Sequence, residues 1–282
     1  NNPILNFRRQ AHYQIIPTAA GWLHPVLCAA IHRHQVRAMF AFKEEYPMSA
    51  MAMMAMADVA VPFYQPIIGR DRQVKGYEAL ARRWDPVAQC YQGIDFASLS
   101  QDESLHLDIV MLRAILRDLP VLAQKGPYTL SINLNPAPSS PTYQNLLLLV
   151  LIQARKVGID IWFEVLEHTR LESQYRALIE VLRAHGAHIA CDDFGSLECN
   201  FQRLMALPYE VVKLDRSLLQ AACTSHALKM LVGLVKYLQR LGMAVVCEGV
   251  ETQTHIEIAN RLGCDYQQGY AYAMPSPLSR WS

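Results

Sequence analysis

Short apolar runs alternate along this chain with longer segments in which apolar residues recur every three or four positions. The short runs are typical of buried strands, and the longer segments are typical of amphipathic helices. The pattern predicts strands over 61–69, 74–82, 128–134, 159–165, 187–192, 210–214, 244–247 and 266–271. It predicts helices over 98–117, 141–157, 171–185, 200–206, 226–241 and 252–262.

This alternation predicts the fold class. Strands that alternate with helices build a parallel sheet covered by helices, and eight such strands match a closed barrel. The first two strands are separated only by residues 70–73, a connection that predicts an antiparallel hairpin. We therefore predict an α/β, TIM-barrel-like (β/α)8 fold over 58–282, with its first strand antiparallel. Residues 1–57 show no clear period, and we assign that segment no role.

Composition narrows the classes of function. The net charge of +1 gives no reason to expect a nucleic-acid polymer or an anionic membrane as partner. The longest uniform apolar run, 146–152, is far shorter than the roughly 20 residues that cross a bilayer. The seven cysteines form no CxxC pair, which favours a reducing compartment. We expect a cytoplasmic protein.

Most of the short apolar runs end in an acidic or amide side chain, and one ends beside a lysine. The carboxyl ends of parallel barrel strands meet on one face, so we expect these side chains to converge there. They are Glu78, Asn133, Glu164, Asp192, Asp193, Lys213 and Glu248. So many carboxylates cannot stay ionised in a small volume unless cations lie among them. Oxygen ligands without His or Cys favour Mg²⁺ or Mn²⁺ over zinc, so the sequence predicts a catalytic divalent-metal site.

Individual members of this set have simpler interpretations. Asp193 alone could cap a helix, and Asn133 could cap the turn before Pro136. Lys213 and Asp215 lie two positions apart on one strand, so they share a face and could form a structural ion pair. Such separate explanations do not account for the regular placement of acids at four strand ends, so we favour the metal site.

Nine short motifs follow one another in a diagnostic order. They are Tyr64-Gln65-Pro66-Ile67, Gly76-Tyr77-Glu78-Ala79-Leu80-Ala81-Arg82, Ile132-Asn133-Leu134, Glu164-Val165-Leu166-Glu167, Asp192-Asp193-Phe194-Gly195, Leu207-Pro208, Lys213-Leu214-Asp215, Glu248-Gly249-Val250-Glu251-Thr252 and Gln268-Gly269-Tyr270. In this order and spacing they resemble the EAL domain, the cyclic di-GMP phosphodiesterase family. A lone Glu-Ala-Leu triplet has no diagnostic value, but the ordered set is specific and covers residues 61–277.

The resemblance implies metal-dependent hydrolysis of the bacterial second messenger cyclic di-GMP to linear pGpG, with two Mg²⁺ or Mn²⁺ ions at the barrel mouth. It implies that the first ion is held by Glu78, Asn133, Glu164 and Asp192. Asp192 would bridge to the second ion, which Asp193 and Glu248 would also serve. Lys213 would polarise the attacking water, so Glu78, Lys213 and Glu248 are the residues implied to be catalytic.

The resemblance also implies roles for residues around the metals. Contacts to guanine, phosphate or supporting side chains would come from Gln65, Arg82, Glu251 and Gln268. Arg82 is assigned by its motif position, because a basic pair such as Arg82 and Arg83 at a strand end often lies in solvent. Glu167 would brace the loop after Asp193, and Asp215 is a second loop-supporting residue.

The loop after Asp193 departs from the family pattern. It reads Ser196-Leu197-Glu198-Cys199-Asn200, whereas the family usually has a hydroxyl residue, a glycine, an aromatic residue and two serines. Leu197 would be strained if that backbone position needs a positive φ. The family uses this loop for the metal site and the dimer contact, so turnover could be slow or lost, and a homodimer stays open.

Two alternatives to an active phosphodiesterase therefore remain. One is a catalytically weak or inactive EAL domain that acts as a cyclic di-GMP receptor or protein-binding module. The other is a different metal-assisted barrel enzyme, such as an enolase-like one, which the fold alone would permit. The complete set of ligand residues favours the phosphodiesterase over both.

Overall fold

The computed structural model describes residues 60–85, 87–126, 128–166, 169–196 and 201–281. The N-terminal segment 1–57, the loop-supporting Glu167 and the altered positions 197–200 lie outside these ranges, and the predicted division at residue 58 stays a prediction. The strands are β1 Val61–Gly69, β2 Val74–Asp85, β3 Cys90–Gly93, β4 Thr129–Leu134, β5 Asp160–Val165, β6 His188–Phe194, β7 Val211–Leu214, β8 Ala244–Cys247 and β9 Tyr266–Gln267. The helices are α1 Gln101–Leu122, α2 Pro141–Lys156, α3 Ser173–Ala184, α4 Phe201–Leu204, α5 Arg216–Ala221, α6 Ser225–Arg240 and α7 Gln253–Leu262.

Eight of these strands close into a barrel. The hydrogen-bonded order is β1-β9-β8-β7-β6-β5-β4-β2, and the pairing of β1 with β2 completes the ring. β1 is antiparallel to both neighbours, whereas the pairs from β2–β4 through β8–β9 are parallel. The predicted TIM-barrel-like fold with an antiparallel first strand is therefore confirmed.

The helices begin where the sequence provides capping residues. Ser100 and Glu103 form a reciprocal capping box at the start of α1. Ser140 and Thr252 accept hydrogen bonds from backbone N–H groups in the first turns of α2 and α7. α7 ends at Gly263, whose φ of 77° lies in the left-handed region that favours glycine. None of the helices within the described ranges has both the length and the apolar character needed to cross a membrane.

The first helix extends beyond its predicted end at residue 117. α1 continues to Leu122, with Pro120 inside its last turn. A proline there costs about 3 kcal/mol, because it donates no hydrogen bond and crowds the preceding turn. Leu119 and Leu122 on either side are buried. Burial of such side chains is worth about 1.5–3 kcal/mol each, which offsets the cost.

Two further differences lie at the rim of the barrel. The last strand was predicted over 266–271, but it ends at Gln267 because the chain then folds back, and the Ala271 N–H donates to Val250 O at 2.8 Å. β3 was not predicted. It pairs antiparallel with the end of β2, and its four residues are all exposed, so it lacks the apolar alternation that marks a half-buried strand.

The barrel interior is layered. Its apolar floor consists of Ile67, Trp162, Ala190, Val211 and Val246. Strand side chains two positions apart share a face, so the next position towards the mouth on each strand forms the layer above. That layer contains Gln65, Glu164, Asp192, Lys213 and Glu248. Because inward-facing side chains recur every second residue along a strand, most of the predicted metal-site residues lie in the layer directly above the apolar floor.

Candidate metal centre

Lys213 lies among four carboxylates at the barrel mouth and is only 2% exposed. Its Nζ is 2.8 Å from Glu164 Oε1, 2.9 Å from Glu248 Oε1, 3.0 Å from Asp192 Oδ1 and 3.6 Å from Glu78 Oε2. One ammonium group against four carboxylates gives this cluster a net charge of −3 when every group is ionised. We call Lys213 and these four residues the acidic cluster.

The pKa values show how poorly the cluster is neutralised. Burial, followed by the charge of Glu78, raises the pKa of Glu164 well above its usual range. Burial also raises the pKa of Glu248, to about 8, although Lys213 opposes the shift. Burial alone would lower the pKa of Lys213, but the surrounding carboxylates raise it well above its usual range. Lys213 therefore keeps its charge, and the raised pKa values of Glu164 and Glu248 favour protons on the excess carboxylates, which a divalent cation could displace.

Glu164 provides a direct test of whether a metal fits here. The residue is fully buried, and the Ser131 hydroxyl donates to its Oε1. Its Oε2 is buried too and has no hydrogen-bond partner among the described residues. A buried carboxylate oxygen without a partner is costly unless a cation coordinates it. The residues present therefore fit a hard divalent cation.

Asp192, Asp193 and Glu248 form a second group with metal-binding chemistry. One ligand oxygen from each lies within 4.8 Å of the other two. Consecutive side chains on a regular strand point to opposite faces, so two neighbouring aspartates would not normally converge. Asp193 has φ 49°, a left-handed conformation that is uncommon outside glycine but better tolerated by aspartate. This local change of direction lets both carboxylates approach Glu248.

Gln268 holds Glu78 in place, and Gln65 in turn holds Gln268. The Gln268 Nε2 donates to Glu78 Oε2 at 2.5 Å and to Gln65 Oε1 at 3.2 Å. The Gln65 Nε2 in turn donates to Ala273 O at 3.1 Å. Gln65, Glu78 and Gln268 are all buried. The structure therefore brings both predicted substrate-binding glutamines to the cluster, where they orient a carboxylate.

The family model for the EAL domain matches residues 52–275. This chain belongs to the EAL-domain family. It is 30% identical over 226 residues to the cyclic di-GMP phosphodiesterase NbdA of Pseudomonas aeruginosa, a match that covers 77% of this chain and 29% of NbdA. With two other curated relatives the match covers 28% and 44% of their length, so this EAL domain spans less than half of each of them.

Solved structures show the same fold as this EAL domain. The PaMucR phosphodiesterase, in complex with c-di-GMP, has a TM-score of 0.67 and 24% identity, and the match covers 81% of this chain and 96% of that one. YkuI of Bacillus subtilis, in complex with its substrate c-di-GMP and calcium, has a TM-score of 0.65 and 23% identity, with coverage of 81% and 59%.

Other predicted residues of the EAL domain lie around the cluster. Asn133 pairs in register with Glu164 and, two positions after Ser131, lies on the same face of β4. Arg82 lies four positions beyond Glu78 on β2, and its guanidinium donates to Ala81 O. Burial lowers the pKa of Arg82, while the charges of Tyr270 and Glu78 oppose the shift.

Two predicted residues lie apart from the acidic cluster. Asp215 caps α5 by accepting from the Ser217 N–H at 2.9 Å, whereas Lys213 pairs with the strand-end acids. Glu251 is exposed on the loop before α7, and its carboxylate lies 3.8 Å from Arg216. The proposed roles of Asp215 in loop support and of Glu251 in substrate binding stay predictions.

Sequence reasoning missed Asn135, which anchors the loop after β4. Its amide nitrogen donates to Asp108 Oδ2 at 2.7 Å and to Ser104 Oγ at 3.1 Å. Its backbone N–H donates to Tyr143 OH, and its Oδ1 accepts from Ala137. This loop begins two residues after Asn133, so the network ties the end of β4 to α1 and α2.

Ser131 was missed as well, although its position two residues before Asn133 could have indicated it.

Replacing Asp108 with asparagine should stabilise the fold at neutral pH. Burial raises the pKa of Asp108 from 3.8 to about 6, although the hydrogen bond from Asn135 lowers it in part. The folded state therefore binds more protons than the unfolded state between these values, and wild-type stability falls as pH rises through them. We expect Asp108→Asn to exceed the wild type by roughly 1–3 kcal/mol at pH 7, with the difference shrinking towards pH 4. Urea unfolding across this range measures it. A pH-independent difference would contradict the prediction.

Proposed function

We propose that this EAL domain hydrolyses one phosphodiester bond of cyclic di-GMP and releases linear pGpG. The observation that carries the proposal is the acidic cluster: four carboxylates from four strands of the barrel around a buried lysine, with Asp193 beside them. The names of its relatives support the substrate, since NbdA is a cyclic di-GMP phosphodiesterase and the PaMucR and YkuI structures contain c-di-GMP.

We also propose a cytoplasmic location, because the five described cysteines are free thiols.

Two Mg²⁺ or Mn²⁺ ions are the cofactors we propose. Glu78, Asn133, Glu164 and Asp192 would hold one ion, and Asp192, Asp193 and Glu248 would hold the other. The unpartnered Oε2 of Glu164 and the all-oxygen ligand set support hard dications. When bound, such ions lower the pKa of water to about 7 and neutralise charge on the phosphodiester.

The protein's own residues position the reaction. Lys213 keeps its proton because the surrounding carboxylates raise its pKa, so its Nζ–H can donate to the oxygen that attacks phosphorus. Ser131 and Gln268 fix the carboxylates of Glu164 and Glu78. In the step we propose, the water oxygen bonds to phosphorus, the bond from phosphorus to the 3′ oxygen breaks, and a proton passes to that oxygen. Preorganised groups of this kind need little rearrangement during the reaction.

A product assay tests this function. Purified protein with Mn²⁺ should convert cyclic di-GMP to pGpG, measured by chromatography and mass spectrometry, and EDTA should stop the conversion. Cyclic di-GMP that binds but stays intact with Mn²⁺ would contradict the enzyme and support the receptor alternative, which the altered residues 197–200 motivate. No binding and no cleavage would argue against both.

We further propose a homodimer contact near the end of β6. Phe201 and Met205 on and after α4 are large apolar residues that are 53% and 77% exposed. The Met205 N–H donates to Phe201 O, so the two residues lie one helical turn apart on the same face, and adjoining apolar side chains at a surface can mark a protein interaction site. Analytical ultracentrifugation should show a dimer for the wild type and a monomer for Met205→Asp, while Met230→Asp on α6 should remain a dimer. A monomeric wild type would contradict the contact.

A further inference from the structure

Three aromatic side chains stand beside the barrel mouth, and we call them the aromatic shelf: Phe63 on β1, Trp84 on β2 and Tyr91 on β3. The ring of Tyr91 lies 5.2 Å, centroid to centroid, from that of Phe63 and 5.2 Å from that of Trp84. Trp84 and Tyr91 are 38% and 42% exposed. Continuous aromatic surface beside a charged cleft is a feature that ligand-binding sites share.

The strand register places the shelf on the same face as the acidic cluster. On β2, residues two apart share a face, so Glu78, Arg82 and Trp84 point the same way. Phe63 is two positions from Gln65 on β1, and Tyr91 is directly opposite Trp84. The intervening residues face the helices instead: Tyr64 donates to Asp118 on α1, and Ala81 packs against the buried residues of α1.

The distances along the strands suit a nucleotide. Phe63 pairs with Leu80, which is two residues beyond Glu78, or about 7 Å along the strand. Arg82 lies between this level and Trp84. A phosphodiester at the acidic cluster would therefore have Arg82, the ring of Phe63 and the ring of Tyr91 packed on it within reach of its base. Trp84, six residues and about 20 Å beyond Glu78 on β2, forms the outer edge of the shelf.

We infer that the aromatic shelf binds a guanine base of cyclic di-GMP by stacking, next to Arg82. This inference rests on the proposed function and adds a specificity site to it. The face of a base stacks on aromatic rings. The guanidinium of Arg82 can donate two parallel hydrogen bonds to a phosphate or to the edge of the base. The shelf holds the substrate and does not touch the reacting bond, so it contributes to binding rather than to the chemical step.

The test is the separation of KM from kcat in shelf variants. Tyr91→Ala should raise KM for cyclic di-GMP by roughly 5- to 100-fold, the range for loss of one stacked base, and Trp84→Ala, which removes the ring packed against Tyr91, should raise KM less. Their kcat should change far less, because binding common to ground and transition states affects KM alone. Tyr91→Phe should restore the wild-type KM. Tyr237→Ala removes an equally exposed tyrosine from α6 and is the matched control.

Calorimetric titration of cyclic di-GMP in EDTA separates this inference from the proposed function. If the wild type binds in EDTA and Tyr91→Ala weakens that binding, but the wild type leaves cyclic di-GMP intact with Mn²⁺, the function fails and the shelf stands. If the wild type cleaves and the shelf variants keep the wild-type KM and affinity, the function stands and the shelf is overturned. If a shelf variant changes only the oligomeric state of the protein in solution, the shelf is a contact between subunits. That result would also overturn the inference.

Discussion

Glu164→Gln should abolish the proposed Mn²⁺-dependent cleavage of cyclic di-GMP, with an expected fall in kcat/KM of about 10³-fold or more. Such a fall corresponds to roughly 4 kcal/mol of transition-state stabilisation, within the several kcal/mol attributed to a bound metal. Glutamine keeps the shape of the side chain and can still accept from Ser131, but it removes the negative charge from a fully buried ligand position.

The same variant should fold normally without metal. Burial raises the pKa of Glu164 and so penalises its charged form, and glutamine removes that charge without changing the size of the side chain. We expect a similar melting temperature in EDTA and a much smaller rise on addition of Mn²⁺. Glu180→Gln on α3, where the side chain is 66% exposed, is the matched control and should behave as wild type. Full activity in Glu164→Gln would contradict the assignment of Glu164 as a ligand.

Lys213→Met should have the second large effect, on stability as well as activity. Methionine preserves the length of the side chain but removes the ammonium group that lies within 4.0 Å of four buried or half-buried carboxylates. Removal of one partner from a buried ion cluster typically costs 3–5 kcal/mol, and we expect about that loss in the metal-free protein. Since Lys213 also provides the proposed proton donor to the attacking oxygen, kcat should fall with it.

Urea unfolding in EDTA measures the loss of stability, and added Mn²⁺ should recover part of it by supplying the missing positive charge. Lys229→Met, at an exposed position of α6, controls for the loss of a lysine. If Lys213→Met were as stable as the wild type in EDTA, protonation of the carboxylates alone would be enough to neutralise the cluster. That result would contradict the prediction that the charge of Lys213 stabilises the fold.

The sequence predicted the strands best where apolar runs are bounded by polar residues. β1 and β8 have the predicted bounds, and the acidic residues in or just after the strands converge because their side chains face the mouth of one barrel. The limits of this reasoning lie where partners are distant in sequence. Asn135 is held by Asp108, which lies 27 residues earlier, and no local pattern marks that pair.

Other features depend on local backbone geometry that the sequence did not indicate. The left-handed conformation of Asp193 lets two consecutive aspartates approach the same place, which a regular strand forbids. β3 is fully exposed, so it gave no periodic signal, yet it supplies Tyr91 to the aromatic shelf. Residues at the rim were harder to predict than those in the barrel because their structure depends less on apolar burial.

Anomalous diffraction from crystals soaked in Mn²⁺ tests the metal centre most directly. We predict a strong anomalous peak in contact with Glu78, Glu164 and Asp192, and a second peak beside Asp193 and Glu248. A map without manganese at either place, with the four carboxylates still gathered around Lys213 alone, would contradict a metal centre at the mouth of this barrel.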